Sequence, residues 1–396
     1  MRRLAGVCLA ALLALPLLAL RPAAATPPAP AAVAPVPLLA YYYIWFDTTS
    51  WNRAKDDEPA LGRYSSDDPA VMARHVELAK RAGIDGFIVS WKSTPTLNRR
   101  LEQLSRIASA NRFKLALIYE GLDFNRNPLP VEQVRRDLAE AADRYTRATA
   151  FGLFDRPLVI WSGTWRFSRA EVARAVQPVR GRLLVLASEK DPEGVRRLAG
   201  LVDGDAYYWS SADPLRTPGY REKLAAMEKA VHGQGGQWVA PAAPGFDARK
   251  VGGTKVVERR DGATLVDSLG AARASSPDAV GLISWNEFSE SSYVEPSRRY
   301  GRRYLDVLAS VARPPAAEAA PETTAAPDSK TAPETSPEAA PAAAPATDPA
   351  IDFASDEPAG RDDGPGRLLL LGSLLVAGLG SLGVLVWRAR QGRTRT

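Results

Sequence analysis

Apolar and amphipathic segments alternate eight times between residues 36 and 313. The apolar runs occupy 38–46, 86–91, 114–120, 158–162, 182–188, 205–210, 237–243 and 279–288. Segments with helical spacing fall at 68–82, 96–111, 130–147, 168–178, 190–201, 217–232, 263–275 and 297–311. Near-continuous apolar strands that alternate with helices are typical of a parallel sheet covered on both faces. Eight such units in about 275 residues predict a single α/β domain, a closed (β/α)₈ TIM barrel.

An open, doubly wound sheet is the alternative architecture for the same alternation. Such sheets usually bind nucleotides at a glycine-rich turn that follows the first strand. No glycine-rich phosphate loop follows the run at 38–46. The closed barrel is therefore the favoured interpretation.

The amino-terminal residues 1–25 have the pattern of a secretory signal peptide. Arg2 and Arg3 form a basic start, an apolar stretch runs over 4–20, and the small residues at 23–25 suit a cleavage site. The only cysteine, Cys8, lies inside this segment. We therefore expect the mature, exported domain to contain no disulfide and to depend on its core for stability.

The carboxyl-terminal part predicts a membrane anchor. Residues 314–366 are rich in Ala, Pro, Glu and Thr and predict a disordered linker. An uncharged apolar stretch within 367–388 is long enough for a transmembrane helix. Arginines in the basic tail at 389–396 should stay in the cytoplasm. We therefore expect a single-pass protein of the cell membrane with its barrel outside the cell.

Charge and histidine content exclude several classes of function. The formal net charge is +6, but seven arginines belong to the signal region and tail, and the rest of the charge is scattered. We therefore expect no nucleic acid partner. His75 and His232 have no partner at metal-ligand spacing, so we expect no histidine-based metal site and no cofactor, although carboxylate-bound Ca²⁺ stays open. We expect a monomer.

The predicted strand ends are rich in aromatic and polar side chains. In a TIM barrel the active site lies at the carboxyl ends of the strands. Aromatic faces stack on sugar rings, and polar groups bind sugar hydroxyls. A single tryptophan is more often a core residue, but aromatics recur at most strand ends. We therefore expect a carbohydrate-binding cup formed by Tyr43, Trp45, Trp91, Glu120, Trp161, Tyr208, Trp209, Asp247 and Asn286.

Two glutamates end the last apolar run, in the sequence Ser284-Trp-Asn-Glu-Phe-Ser-Glu290. Hydrolysis of a glycosidic bond needs two carboxyl groups in one pocket, one to donate a proton and one to assist at the sugar carbon. Glu287 and Glu290 supply such a pair at a strand end. They predict that the barrel is catalytic.

These residues resemble glycoside hydrolase family 99, the endo-acting α-mannosidases and mannanases. The resemblance covers the segments at 41–46, 82–91, 244–249, 284–290 and 295–301. It implies a (β/α)₈ barrel in which Glu287 assists through the substrate 2-hydroxyl and Glu290 is the general acid and base. It also implies that Glu120 is a further acidic residue at the sugar site.

The chain departs from the family pattern after the second glutamate. Ser291-Ser292 stand where the family usually has Gly-Thr, and Phe288 stands where it has Trp. The same segment also resembles family 71, the α-1,3-glucanases. The expected substrate is therefore an α-linked mannose or glucose polymer or glycan, with retention or inversion left open. A non-catalytic carbohydrate-binding protein and a surface-polysaccharide-assembly protein on the same barrel are the alternatives.

Overall fold

The computed structural model describes residues 36–123, 125–145 and 147–312. Its strands are β1 (Leu38–Tyr43), β2 (Gly86–Trp91), β3 (Lys114–Glu120), β4 (Leu158–Ser162), β5 (Leu184–Ala187), β6 (Gly204–Ala206), β7 (Gln237–Ala242), β8 (Phe246–Asp247), β9 (Val256–Val257) and β10 (Ala279–Leu282). Its α-helices are α1 (Pro69–Arg81), α2 (Pro95–Ala110), α3 (Val131–Tyr145), α4 (Arg169–Val176), α5 (Pro192–Arg197), α6 (Tyr220–His232), α7 (Ala263–Ala274) and α8 (Arg303–Ala312).

The predicted signal peptide, linker, transmembrane helix and basic tail lie outside the described residues. Within the described ranges, none of the helices combines the length and the apolar character that a membrane crossing requires. The predicted anchor at 367–388 therefore stays a prediction.

Eight parallel strands close into a barrel, which confirms the TIM barrel and excludes the open sheet. Strands β1 to β7 follow one another around the ring, and β10 closes it between β7 and β1. Leu39 marks the closure, because it pairs with Gly86 of β2 on one side and Gly281 of β10 on the other. The short strands β8 and β9 form a separate antiparallel pair in the loop after β7.

Helix boundaries follow local capping chemistry. Asp68 caps α1 by accepting a hydrogen bond from the amide of Ala70, and Pro69 occupies the first turn. Thr94 caps α2 in the same way, again before a proline. Ser168 and Glu171 form a reciprocal capping box at the start of α4. All eight predicted helices are present, with ends displaced by a few residues.

Two apolar layers hold the barrel together. Successive side chains of a strand point to opposite faces, so every strand has one inward and one outward row. The inward row packs as the barrel interior and includes Leu39, Tyr41, Ile88, Ile118 and Ile160. The outward row packs against the helices and includes Tyr42, Phe87, Val89, Leu117 and Val159. Both layers are apolar, which explains the near-continuous apolar runs.

Three predicted strands end well before their apolar runs. The runs predict that β1 reaches residue 46, β6 residue 210 and β10 residue 288, but these strands stop at Tyr43, Ala206 and Leu282. At Tyr43 itself the backbone N–H donates to the side chain of Asn286, and the carbonyl accepts from it. Beyond β10 the amide of Ser284 donates to the carbonyl of Ser292, so the chain folds back on itself. Most of the apolar residues beyond these strand ends are therefore buried in loops and do not continue the strands.

Two glycines give opposite predictions for alanine substitution. Gly204 has φ +152°, and a Cβ there would lie 2.0 Å from the carbonyl oxygen of Gln237 on the neighbouring strand. Gly204→Ala should therefore cost several kcal/mol of unfolding free energy. Gly270, exposed within α7, has open space around it, so Gly270→Ala should stabilise the protein by about 0.5–1 kcal/mol. Chemical denaturation tests both, and equal effects would contradict this packing at β6.

Candidate active site

A folded loop after β10 carries both candidate glutamates. The amide of Ser284 donates to the carbonyl of Ser292 at 2.7 Å, and the amide of Glu287 donates to Ser284 Oγ at 2.8 Å. Ser291 has φ +49°, a conformation that glycine adopts with less strain. This is the position where the resembled family usually has glycine. The loop therefore holds a residue with a side chain in a conformation that favours glycine.

Asn286 fastens this loop to the first strand. Its Oδ1 accepts from the amide of Tyr43 at 2.9 Å, and its Nδ2 donates to the Tyr43 carbonyl at 3.0 Å. The same Nδ2 lies 3.2 Å from the hydroxyl of Tyr64. Asn286 is fully buried. Its amide is thus used within the protein, which corrects the expectation that Asn286 binds a sugar hydroxyl.

A buried ionisable network lies beneath the loop. Glu295 accepts from the Tyr64 hydroxyl at 2.8 Å, and its other oxygen lies 3.1 Å from His75 Nε2. His75 Nδ1 lies 3.0 Å from the hydroxyl of Tyr42. His75 and Glu295 are both buried, and their partners satisfy both side chains. These residues support the loop from below and do not reach the cup.

Glu287 and Glu290 share one poorly solvated region. Glu287 is 9% exposed, and its Oε1 accepts from the amide of Ser289 at 3.1 Å. Burial raises the pKa of Glu287, and repulsion from Glu290 raises it further. Burial also raises the pKa of Glu290, which Arg126 partly offsets. Glu290 is partly exposed, so the pair opens to solvent on its side.

Glu120 brings a third carboxylate to this region. It ends β3 on the inward row and accepts from the Ser90 hydroxyl at 2.9 Å. Burial raises the pKa of Glu120 above its usual value. The charge of Glu120 in turn raises the pKa of Glu290, so the two groups are within electrostatic range. The role of Glu120 as a further acidic residue at the sugar site stays a prediction.

Three aromatic side chains form the apolar part of the cup. The hydroxyls of Tyr43 and Tyr208 lie 2.5 Å apart, across the open end of the barrel. Trp45 packs on Tyr43 with ring centroids 4.3 Å apart and is partly exposed. Both glutamates act electrostatically on Tyr43 and Tyr208. Aromatic and carboxylate groups therefore meet at one end of the barrel.

Trp91 and Trp161 do not line the cup, which corrects two expectations. Both are 0% exposed and pack in the layer between barrel and helices. Trp91 donates its indole N–H to Asn98 Oδ1 of α2 at 2.7 Å. Trp91 follows the inward-facing Ser90, and Trp161 follows the inward-facing Ile160. Because successive side chains of a strand point to opposite faces, both tryptophans point outward toward the helices.

Trp209 and Asp247 lie near the cup but are engaged elsewhere. The Trp209 ring is parallel to Tyr207 at 6.0 Å and packs against the helix-side layer. The Asp247 carboxylate is held by Arg249, which lowers its pKa. Asp247 also lines a cavity of about 510 Å³ whose lining includes neither candidate glutamate. The backbone amide of Asp247 donates a hydrogen bond to the Glu290 carbonyl, whereas its carboxylate is bound to Arg249.

Sequence reasoning missed cationic residues in the loops that follow β1 and β3. Arg53 is half-buried and lies in the electrostatic range of Glu287. Arg126 acts on both Glu290 and Glu120. Lone arginines in loops carry no sequence motif. Their position in the loops at the catalytic end of a barrel is the signal that could have identified them.

The described residues show no group of three or more metal-ligating side chains suited to a metal ion. The chemistry available here is acid–base chemistry of carboxyl groups. Two adjacent carboxyls with raised pKa values hold a proton at neutral pH. Such a pair can donate a proton to a leaving group while the ionised partner supports positive charge at the reacting carbon.

The fold is similar to that of known glycoside hydrolases. No protein-family model and no curated protein matches the chain. A GH99 endo-alpha-mannosidase from Bacteroides thetaiotaomicron matches with a TM-score of 0.60 and 18% identity, over 69% of this chain and 95% of that chain. The structure of that organism's enzyme with BIS-TRIS-propane gives 0.61 and 19%, over 69% and 96%. A glycoside hydrolase-like protein gives 0.55 and 16%, over 71% and 96%. At these identities the likeness shows a GH99-like fold.

The placement of the tryptophans gives a stability prediction. Trp91→Ala should lower the unfolding free energy by about 3–5 kcal/mol, because it opens a cavity and removes the donor to Asn98. Trp45→Ala should cost far less, because Trp45 is partly exposed. Urea denaturation measures both changes. A small loss for Trp91→Ala would mean that its ring faces the cup after all.

The raised pKa values predict a pH-dependent effect of Glu287→Gln. The folded protein binds protons more tightly than the unfolded chain at Glu287 and Glu290, with folded pKa values of about 8 and about 7. Their contribution to stability is present below about pH 4.5 and lost as pH rises through these values. Glu287→Gln should therefore stabilise at pH 8.5, by an amount on the order of 2 kcal/mol, and change little at pH 4.5.

Glu222→Gln is the control for that titration. Glu222 is an exposed glutamate of α6. Its replacement should shift the thermal unfolding temperature equally at both pH values. If Glu287→Gln behaves in the same way as Glu222→Gln, the Glu287 carboxyl is not held protonated by its surroundings.

Proposed function

We propose that this protein is a glycoside hydrolase that cleaves an α-linked mannose or glucose polymer or glycan, internally rather than from its ends. The observation that carries the proposal is the pair Glu287 and Glu290, both with raised pKa, in a partly open cup at the carboxyl end of a barrel. The likeness of the barrel to endo-alpha-mannosidase structures supports the same class. No cofactor is needed for this chemistry.

Glu290 is assigned the role of general acid and base. It is the more exposed of the two carboxyls, so a leaving group can reach it from the cup. Arg126 stabilises its ionised form after the proton has been given up. Burial instead favours the protonated form of Glu290, so the two effects together keep its pKa near neutrality. A pKa in that range makes proton transfer effective in both directions.

Glu287 is assigned the role of assisting at the sugar carbon through the substrate 2-hydroxyl. Its side chain is anchored by the Ser289 amide and is nearly enclosed. A fixed and poorly hydrated carboxyl interacts strongly with charge that develops beside it. For bond cleavage the proton shared by the pair has to lie on Glu290, with Glu287 ionised.

The walls of the cup are assigned to substrate binding. Trp45 presents a partly exposed ring on which a sugar ring can stack. Tyr43 and Tyr208 border the pair, and Glu120 offers a carboxylate to sugar hydroxyls. We place the barrel on the outer face of the cell membrane, on the strength of the signal-like and apolar terminal segments.

Glu290→Gln should slow the cleavage of substrates with poor leaving groups more than that of substrates with activated leaving groups. The amide keeps shape but donates no proton, so turnover of a natural α-glycan should fall about 10²-fold or more. An aryl glycoside with an activated leaving group should lose much less, because it departs without protonation. Glu287→Gln should impair both substrates alike, since assistance at the sugar carbon is needed in either case. Initial rates of reducing-end release provide the measurement.

Glu222→Gln should leave both rates unchanged and serves as the matched control. Product anomers recorded by NMR then separate the two mechanisms. Retention agrees with the family 99 scheme, whereas inversion agrees with family 71. Full activity of Glu290→Gln on a natural glycan would overturn the assignment of the acid.

A further inference from the structure

Three loops at the catalytic end of the barrel bring two cations to one tryptophan. Arg126 lies in the loop between β3 and α3, and its guanidinium is 6.0 Å from the centroid of Trp165. Lys190, in the loop between β5 and α5, places its Nζ 5.3 Å from the same ring. Trp165 itself belongs to a single 3₁₀ turn that follows β4. These three residues are called the Trp165 cluster below.

The loop that presents Arg126 is tightly constrained. Asp123 accepts hydrogen bonds from the amides of Asn125 and Asn127, each at 2.8 Å. Arg126 has φ +63° and donates its amide to the Asp123 carbonyl at 3.1 Å. A residue with a side chain adopts this conformation at a cost, and glycine is the usual choice. The turn therefore fixes the backbone position of Arg126.

The two cations have no salt bridge to a carboxylate in the part of the chain that the structure describes. Among the described residues, the side chains of both cations contact the Trp165 ring. Arg126 is exposed, whereas Trp165 and Lys190 are partly exposed. Each cation is attracted to the ring, and the two like charges repel each other. A bound anion would offset this repulsion.

The cluster adjoins the candidate catalytic pair. Arg126 is close enough to Glu290 and Glu120 to lower the pKa of both carboxyls. Arg126 therefore contacts Trp165 and also acts electrostatically on the carboxyls of the cup. Because the cup itself holds three carboxylates, an anionic group would be repelled there and accepted only beyond Arg126.

We propose that the Trp165 cluster is a substrate subsite for a sugar unit that carries an anionic group, next to the unit that is cleaved. Arg126 binds a planar carboxylate or a phosphate through paired N–H donors, and Lys190 adds a second charge. The substrate class is thus an acidic α-linked glycan. This inference rests on the proposed hydrolase function for its location but is tested by binding alone.

The test compares three oligosaccharides of equal length by isothermal titration calorimetry. They are tetragalacturonate, a mannotetraose that carries one phosphate, and neutral mannotetraose. The full-length protein carries Glu290→Gln so that cleavage during the titration is slowed. We expect at least one anionic ligand to bind about tenfold more tightly than the neutral one, and added salt to reduce this preference. The first two ligands distinguish a carboxylate from a phosphate as the group that is recognised.

Replacement of Arg126 and Lys190 by Met should reduce the preference to about twofold or less. Arg112→Met is the matched control. Arg112 is an exposed arginine with a similar backbone conformation, φ +52°, but it lies at the opposite end of β3. Arg126→Gly and Arg112→Gly should both raise the thermal unfolding temperature, because both relieve the same strain, yet only Arg126→Gly should lose the preference.

Four outcomes are decisive. A preference that depends on Arg126 and Lys190 supports the subsite, even if the wild-type protein cleaves none of the ligands, in which case only the hydrolase proposal fails. Equal binding of charged and neutral ligands overturns the subsite, even if neutral glycans are cleaved. A preference that Arg112→Met removes to the same extent shows unspecific attraction and overturns it as well. If none of the three ligands binds, the subsite proposal is overturned as well.

Discussion

The buried amide of Asn286 is the contact on which the rest of the site depends. It bonds to both the N–H and the carbonyl of Tyr43 and so takes the place of a neighbouring strand where β1 ends. The loop that follows β10 is thereby fixed over the open end of the barrel. Below it, Glu295 joins Tyr64 and His75 in a satisfied network. The two hydrogen bonds between the Asn286 side chain and the Tyr43 backbone thus hold the loop that carries Glu287 and Glu290.

The poorly hydrated carboxyl pair favours acid catalysis but lowers the stability of the folded protein. Two carboxyls close together in a poorly hydrated cup destabilise the folded protein whenever both are ionised. Hydration would relieve this cost but would also remove the raised pKa that acid catalysis requires. Glu120 adds to the repulsion, while Arg126 and Arg53 reduce it from the loops. The cup therefore combines opposing charges whose balance keeps one proton available near neutral pH.

Sequence reasoning identified the barrel because its strands and helices differ in length and periodicity. The bounds of β2, β3 and β4 agree with the predicted runs. It misplaced Trp91 and Trp161, because both faces of a parallel barrel strand are apolar and composition does not reveal which residue faces inward. It also misjudged Asn286, whose partner Tyr43 lies 243 positions away. Long-range hydrogen bonds of this kind leave no local pattern.

The coupling between Glu287 and Glu290 is the central claim, and titration of their carboxyl carbons by ¹³C NMR tests it most directly. Labelled glutamate in the full-length protein, with signals assigned from Glu287→Gln and Glu290→Gln, would give both apparent pKa values. We predict that at least one carboxyl stays protonated above pH 6, and that Glu290→Gln lowers the pKa of Glu287. Two independent titrations near the ordinary glutamate value of about 4.3 would contradict this description of the site.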